Sequence, residues 1–183
     1  MKIDRRNLLL GAGAAAAVGT LPVCAATLRS RVSGDAAVES LLAEIGEDLL
    51  SEYPENATAL GIDKGNRAGL KSRLTDRSLG GRRRLAAAAA SRLAELKAVD
   101  ERVLGPGVKT DLEVVRAAHE LAVEGFAFPF GDVVSLNQSW SYRNSPYVVA
   151  QNTGAFIEYP DFLDSNHVIA SPADAEAYLA RLE

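Results

Sequence analysis

The spacing of the apolar residues constrains the fold of this chain most strongly. Over three long stretches they recur every three or four positions, which is typical of helices with one apolar face. The first stretch starts at Asp35, which we expect to cap the helix, and stops at Pro54. Its apolar positions are Val38, Leu41, Leu42, Ile45, Leu49 and Tyr53. We therefore predict an amphipathic first helix.

Two further stretches predict a second and a third helix. The second runs from about Arg82 to Leu104, where Gly105-Pro106-Gly107 ends it, and the third opens with a capping box of Thr110 and Glu113. The apolar sides carry Leu85, Ala89, Leu93, Leu96, Val99 and Val103, and then Leu112, Val115, His119, Ala122 and Phe126. Three antiparallel helices would form a bundle-like layer, so the predicted fold class is mainly α.

The remaining parts of the chain are less regular. Between the first two helices, glycines at 61, 65, 69, 80 and 81 predict a turn of helix and connecting loops. From Phe128 to Phe156 a long irregular segment is rich in Gly, Ser, Asn and aromatic residues, with one strand-like run at 147–150. Such a segment either wraps the surface of the bundle, which we favour, or lines a binding cleft.

The last helix has a complete start signal but no end signal. Ser171 is a good N-cap, Pro172 suits the first helical position, and Asp174 places a carboxylate in the first turn. No Gly, Asn or Pro follows before Glu183, so we expect the helix to continue to the last residue. The pattern indicates that residues 35–183 are a truncated part of a larger helical fold.

The first 25 residues resemble a twin-arginine export signal. Lys2 and the Arg5-Arg6 pair precede an apolar stretch, 8–23, that is too short and too rich in Gly and Ala to span a bilayer. Small residues around Cys24 predict cleavage after Ala25, followed by a linker over 26–34. We expect export to the periplasm by the twin-arginine machinery, without a stable membrane span after cleavage. The alternatives are an uncleaved anchor and, less favoured, a lipoprotein.

Composition and motif context exclude several functional classes. Cys24 is the only cysteine and would leave with the signal, so no thiol chemistry is expected. The net charge of -4 argues against nucleic acid as a partner, and Arg82-Arg83-Arg84 is interpreted as a solvated helix start. The glycine-rich run 11–16 lies inside the signal, without the strand and helix that a dinucleotide site requires.

Two histidine-containing patterns have residue types that bind metal ions. His119-Glu120 forms half of an H-E-x-x-H zinc motif, but Val123 replaces the second histidine, so we interpret His119 as a core residue. Asp161, Asp164 and His167 are spaced by three and could bind a divalent ion if they lay on one helical turn. We favour a structural interpretation, in which Pro160 and Asp161 start a short helix and His167 contacts its end. We therefore predict no catalytic, cofactor-binding or metal-binding residue.

Five blocks of sequence, taken together, resemble the amino-terminal part of the bacterial domain-of-unknown-function 885 family. Their order and spacing carry the resemblance, from about Val38 to the last residue. The blocks are Tyr53–Gly61, Gly69–Ser78, Ser145–Asn152, Pro160–Leu163 and Asp174–Leu182.

The resemblance implies a mostly helical, exported protein related to zinc metallopeptidases, with a peptide as the possible substrate of the complete protein. The zinc motif of that family, of the type H-E-x-x-P-G-H, is absent from this sequence, so no family site residue can be assigned here. Two functions are open. The first is an amino-terminal scaffold that lacks the catalytic zinc motif and has no cofactor of its own. The second is a stand-alone periplasmic helical module for binding or interaction.

Overall fold

In a computed structural model, the described residues are 34–128, 136 and 155–183, and the regular elements among them are all helices. This confirms the predicted mainly-α fold class. The elements are α1 (Asp35–Glu52), α2 (Pro54–Ala59), a 3₁₀ helix (Gly65–Ser72), α3 (Leu79–Lys97), a short 3₁₀ turn (Glu101–Val103), α4 (Pro106–Ala127), α5 (Ala155–Asn166) and α6 (Pro172–Ala180). Most of the irregular aromatic segment, including its strand-like run, lies outside the described residues, as do the export signal and most of the linker.

α1, α3 and α4 share an apolar core. Its buried residues lie at predicted positions: Val38, Ile45, Leu96, Val99 and Leu112. Partly buried leucines and valines of α1 and α4 pack against this cluster. Because a fully buried Leu or Val contributes about 1.5–3 kcal/mol, this cluster is a main source of stability for the three-helix part. The helical periodicity was therefore a sufficient guide to this core.

The start of α1 differs from the prediction. Asp35 is the first residue of α1 rather than its cap, and Gly34 occupies the N-cap position with a φ of 90°. The Asp35 carboxylate instead accepts a hydrogen bond of 2.9 Å from the backbone N–H of Gly105. Asp35 thus ties the start of α1 to the start of α4.

The predicted capping box of α4 is also wrong. Gly105 is the N-cap of α4, and Pro106 is its first residue. The Gly105-Pro106-Gly107 tripeptide, which we expect from the sequence to end the second helix, therefore begins the third. A proline at this position has the φ that a helix requires, which explains the earlier start. Thr110 lies inside α4, where its hydroxyl donates to the Pro106 carbonyl oxygen over 3.0 Å.

α3 begins earlier and ends earlier than predicted. Ser78 is its N-cap, accepting from the Gly81 N–H over 3.0 Å, and the helix ends at Lys97. The Glu101–Val103 turn follows as a separate element, and Val103, predicted on the apolar side, is exposed.

The other helices form a second packed region, in which α2 and α6 both contact the 3₁₀ helix and α2 also contacts α5. α5 begins at Ala155, so Pro160 lies within it and does not start it as predicted. The start of α6 is as predicted, with the Ser171 hydroxyl accepting from the Asp174 N–H, but its end is not. The helix ends at Ala180, and the C-cap residue Arg181 is buried. No helix within the described ranges has the length and apolarity needed to cross a membrane.

Candidate functional site: a buried arginine beside a cavity

Arg181 is the centre of the second packed region. Only 6% of the residue is exposed, although it carries a charge. Its N–H groups donate hydrogen bonds to four acceptors: the Arg73 carbonyl oxygen at 3.0 Å, the Thr58 hydroxyl at 2.8 Å, the Leu70 carbonyl oxygen at 3.2 Å and His167 Nδ1 at 2.8 Å. The guanidinium also lies 5.0 Å from the centre of the Phe162 ring. These contacts provide the hydrogen bonds that a buried cation requires.

His167 is held by these contacts in one tautomer. Arg181 can only donate, so Nδ1 of His167 is the acceptor in their contact. Nε2 therefore carries the proton and donates to the Asp174 carbonyl oxygen over 2.9 Å. The ring also meets Tyr178 edge-on, with centroids 5.3 Å apart. Both ring nitrogens are therefore occupied by internal hydrogen bonds.

The Arg181 contacts join segments that are far apart in the sequence. Thr58, Leu70, Phe162 and Arg181 belong to four of the five blocks that resemble the family. The blocks were recognised by their order in the sequence, and the structure shows that these four meet at one buried side chain. Arg181 thus links α2, the 3₁₀ helix, α5 and the end of α6.

Asp174 holds the start of α6 against the 3₁₀ helix. Its carboxylate accepts from the Lys71 ammonium, from the Ser171 hydroxyl at 2.8 Å and from the Ala170 N–H at 3.1 Å. These hydrogen bonds, that of Lys71 foremost, hold the pKa of Asp174 well below its usual range. The carboxylate is therefore an anionic anchor and not a proton donor near neutral pH.

A buried carboxylate, that of Glu55, fixes the loop before α3. One oxygen accepts from the Thr75 N–H over 3.0 Å and the other from the Thr75 hydroxyl over 2.7 Å. Nearby, Arg77 donates to the Tyr159 hydroxyl over 2.8 Å and pairs with Glu158 at 3.5 Å. Glu55 and Arg77 line a cavity of about 270 Å³ against α5.

A larger cavity, of about 630 Å³, lies between the 3₁₀ region and α6. Asp63 lines it and is 7% exposed, and its Oδ2 has no hydrogen-bond partner. Burial lowers the pKa of the Arg181 guanidinium, while the negative charges of Glu55 and Asp63 act in the opposite direction. Asp63 therefore balances part of the Arg181 charge through space.

The structure places the residues of the two histidine patterns in different surroundings. Asp161 and Asp164 are exposed on α5, whereas His167 faces the buried Arg181, so the trio does not converge. His119 is 1% exposed on α4, and its Nδ1 donates to the Val115 carbonyl oxygen over 2.8 Å. Burial lowers the pKa of His119, and the positive charge of Arg92 adds to the effect. The interpretation of His119 as a core residue is confirmed.

Neither histidine can be identified as a zinc ligand here. Within 34–128 and 155–183, no three His, Cys, Asp or Glu residues are grouped so that they could hold a metal ion.

Sequence reasoning missed the residues that organise this region. Arg181 follows a helix and has the pattern of an ordinary basic residue at a helix end. Asp63 lies between two glycines and has the pattern of an acidic residue in a turn. Glu55 follows a proline and has the pattern of an acidic residue in the first turn of a helix. No spacing rule distinguishes these three from solvated charges, because the groups that surround them come from other parts of the chain.

Comparison with known proteins identifies the family. Residues 54–183 match the family model described as "Bacterial protein of unknown function (DUF885)". The chain is a member of the DUF885 family. The DUF885 match starts at the first residue of α2 and includes the whole Arg181 network, whereas α1 precedes it. The chain has no significant match among curated proteins or among solved structures.

Proposed function

We propose that this chain is the amino-terminal scaffold of an exported, zinc-metallopeptidase-like member of the DUF885 family. In this proposal the described helices position a catalytic part that carries the zinc motif, and a peptide is the substrate of the complete protein. The relation to metallopeptidases comes from the family resemblance. The two histidines do not fit a zinc site, so no step of zinc chemistry is assigned to them.

The convergence of four family-like blocks on Arg181 carries the proposal. The guanidinium donates to carbonyl, hydroxyl and imidazole acceptors of its own chain, so it joins elements and is not directed at a ligand. A buried cation held in this way is costly to leave unpaired, and therefore fixes the arrangement of the elements around it. This is the behaviour expected of a scaffold.

Exposed apolar side chains on both sides of α6 provide secondary support. Val168 and Ile169 precede the helix, Leu179 and Leu182 lie near its end, and each is more than half exposed. Single exposed apolar residues are common, but four around one short helix are consistent with a surface that a further part of the fold covers.

The periplasmic location is part of the same proposal. It rests on the Arg5-Arg6 pair, the short apolar stretch that follows and the small residues before the expected cleavage after Ala25. Replacing both arginines by lysine should leave the protein in the cytoplasm, because the twin-arginine machinery reads the pair. Unchanged export of this double variant would contradict the route.

The second candidate, a stand-alone binding module, is favoured by the 630 Å³ cavity and its buried carboxylate. One experiment separates the two functions: the intact mass of the native product in the source cells, detected with an antibody against residues near Gln151. A product much larger than this chain supports the scaffold. A product that matches the chain cleaved after Ala25, folding cooperatively as a monomer, refutes the scaffold and supports the module.

A further inference from the structure

The loop between α2 and the 3₁₀ helix presents two opposite charges to the large cavity. Gly61 and Gly65 flank this loop with φ values of 69° and 60°, a left-handed conformation that glycine adopts most readily. The adjacent residues Asp63 and Lys64 lie between them, and both line the cavity. Asp63 is buried, whereas Lys64 is exposed. The loop therefore contributes a buried carboxylate and an exposed ammonium to the lining of the cavity.

The carboxylate of Asp63 is only partly satisfied. Its Oδ2 is buried without a hydrogen-bond partner, a state that costs free energy unless a donor arrives. Arg181 is near enough to act on it electrostatically, but its donors go to other acceptors. Buried polar groups in folded proteins are nearly always bonded, so this carboxylate oxygen is expected to accept a hydrogen bond from a group inside the cavity.

The other cavity residues restrict what can enter. Lys71 and Asp174 neutralise one another in an ion pair, which leaves Asp63 and Lys64 as the two unlike charges of the lining. Most of the remaining wall consists of small or aliphatic residues: Gly61, Gly65, Ala68, Val168, Ala170, Ala173 and Ala177. These walls suit a short aliphatic body without rings.

We propose that this cavity binds a small aliphatic zwitterion, with its ammonium group at Asp63 and its carboxylate at Lys64. The ammonium would supply the donor that the buried carboxylate lacks, and the charge-assisted bond would fix the orientation of the ligand. The inference does not depend on the scaffold proposal, because it rests on the geometry of the cavity alone.

The test uses the purified 183-residue chain and 4-aminobutyrate as the probe, with binding followed by ligand-observed NMR titration. Butyrate, which lacks the ammonium, is the matched compound and should show at least about tenfold weaker binding, as expected for a lost charge-assisted hydrogen bond. Equal binding of the two compounds, or no binding of 4-aminobutyrate at millimolar concentration, would overturn the proposal.

Three variants locate the site. Asp63→Asn should weaken binding of 4-aminobutyrate by at least about tenfold, since the amide carries no charge. Ala177→Leu should weaken binding by narrowing the cavity, and it keeps the carboxylate if Asp63→Asn fails to fold. Asp111→Asn, which removes the same charge from an exposed position on α4, should bind like the parent chain. Unaltered affinity in both folded cavity variants, or an equal loss in Asp111→Asn, would refute the assignment.

Discussion

Replacement of Arg181 by methionine should destabilise the protein more than replacement of any exposed arginine. Methionine keeps much of the aliphatic volume but leaves four acceptors without their donor: two backbone carbonyls, the Thr58 hydroxyl and His167 Nδ1. Hydrogen bonds from a charged donor contribute roughly 1.5–3 kcal/mol each, so the four sum to about 6–12 kcal/mol before the cost of burying the guanidinium is subtracted. That cost is several kcal/mol, which leaves a net loss of about 3–5 kcal/mol.

Urea denaturation followed by circular dichroism at 222 nm measures this loss directly. Each kcal/mol of lost unfolding free energy should also lower the melting temperature by about 2–4 °C in a domain of this size. Arg67→Met is the matched control, because Arg67 pairs with Glu47 on the exposed surface and should cost far less. Arg181→Lys should recover only part of the stability, since one ammonium cannot reach all four acceptors. A loss below about 1 kcal/mol for Arg181→Met would refute the argument that this side chain joins the four segments.

The remaining predictions concern the backbone, a buried histidine and a buried carboxylate. Gly81→Ala should cost about 1–3 kcal/mol, because the new Cβ would lie 2.1 Å from the Asp76 carbonyl oxygen. Gly80→Ala, whose Cβ meets nothing closer than 3.5 Å, should be neutral or stabilising, and equal urea midpoints for the two would contradict this. Because burial lowers the pKa of His119 in the folded state, the unfolded state binds more protons below about pH 6.5, so stability should fall as the pH falls through that value. The urea midpoints at pH 7.5 and 5.5 should differ less in His119→Gln than in the parent chain. An equal difference in the two proteins would refute His119 as the origin of the pH dependence. Glu55→Gln should cost about 1–2 kcal/mol, because the amide nitrogen cannot accept one of the two hydrogen bonds that the carboxylate receives, and a midpoint equal to that of the parent chain would refute this role.

Local sequence rules explain which predictions of helix boundaries were correct. The start of α6 was predicted because Ser171 and Asp174 interact with the backbone of their own first turn. Asp35 and Thr110 have the same local signature, yet one bonds to Gly105, 70 residues away, and the other to a carbonyl inside the helix. The sequence shows which residues are able to cap a helix, but it does not show whether their side chains form hydrogen bonds with other groups instead.

By itself, the sequence determined the mainly helical class, the family and the apolar core of α1, α3 and α4. These follow from periodicity, proline and glycine breaks and the order of short blocks, which are properties of neighbouring residues. Only the tertiary structure decided that Arg181 is buried, that His167 is its acceptor and that Asp63 lines a cavity. The reason is physical: the burial of a charge depends on acceptors from residues up to 123 positions away, and no local pattern specifies them.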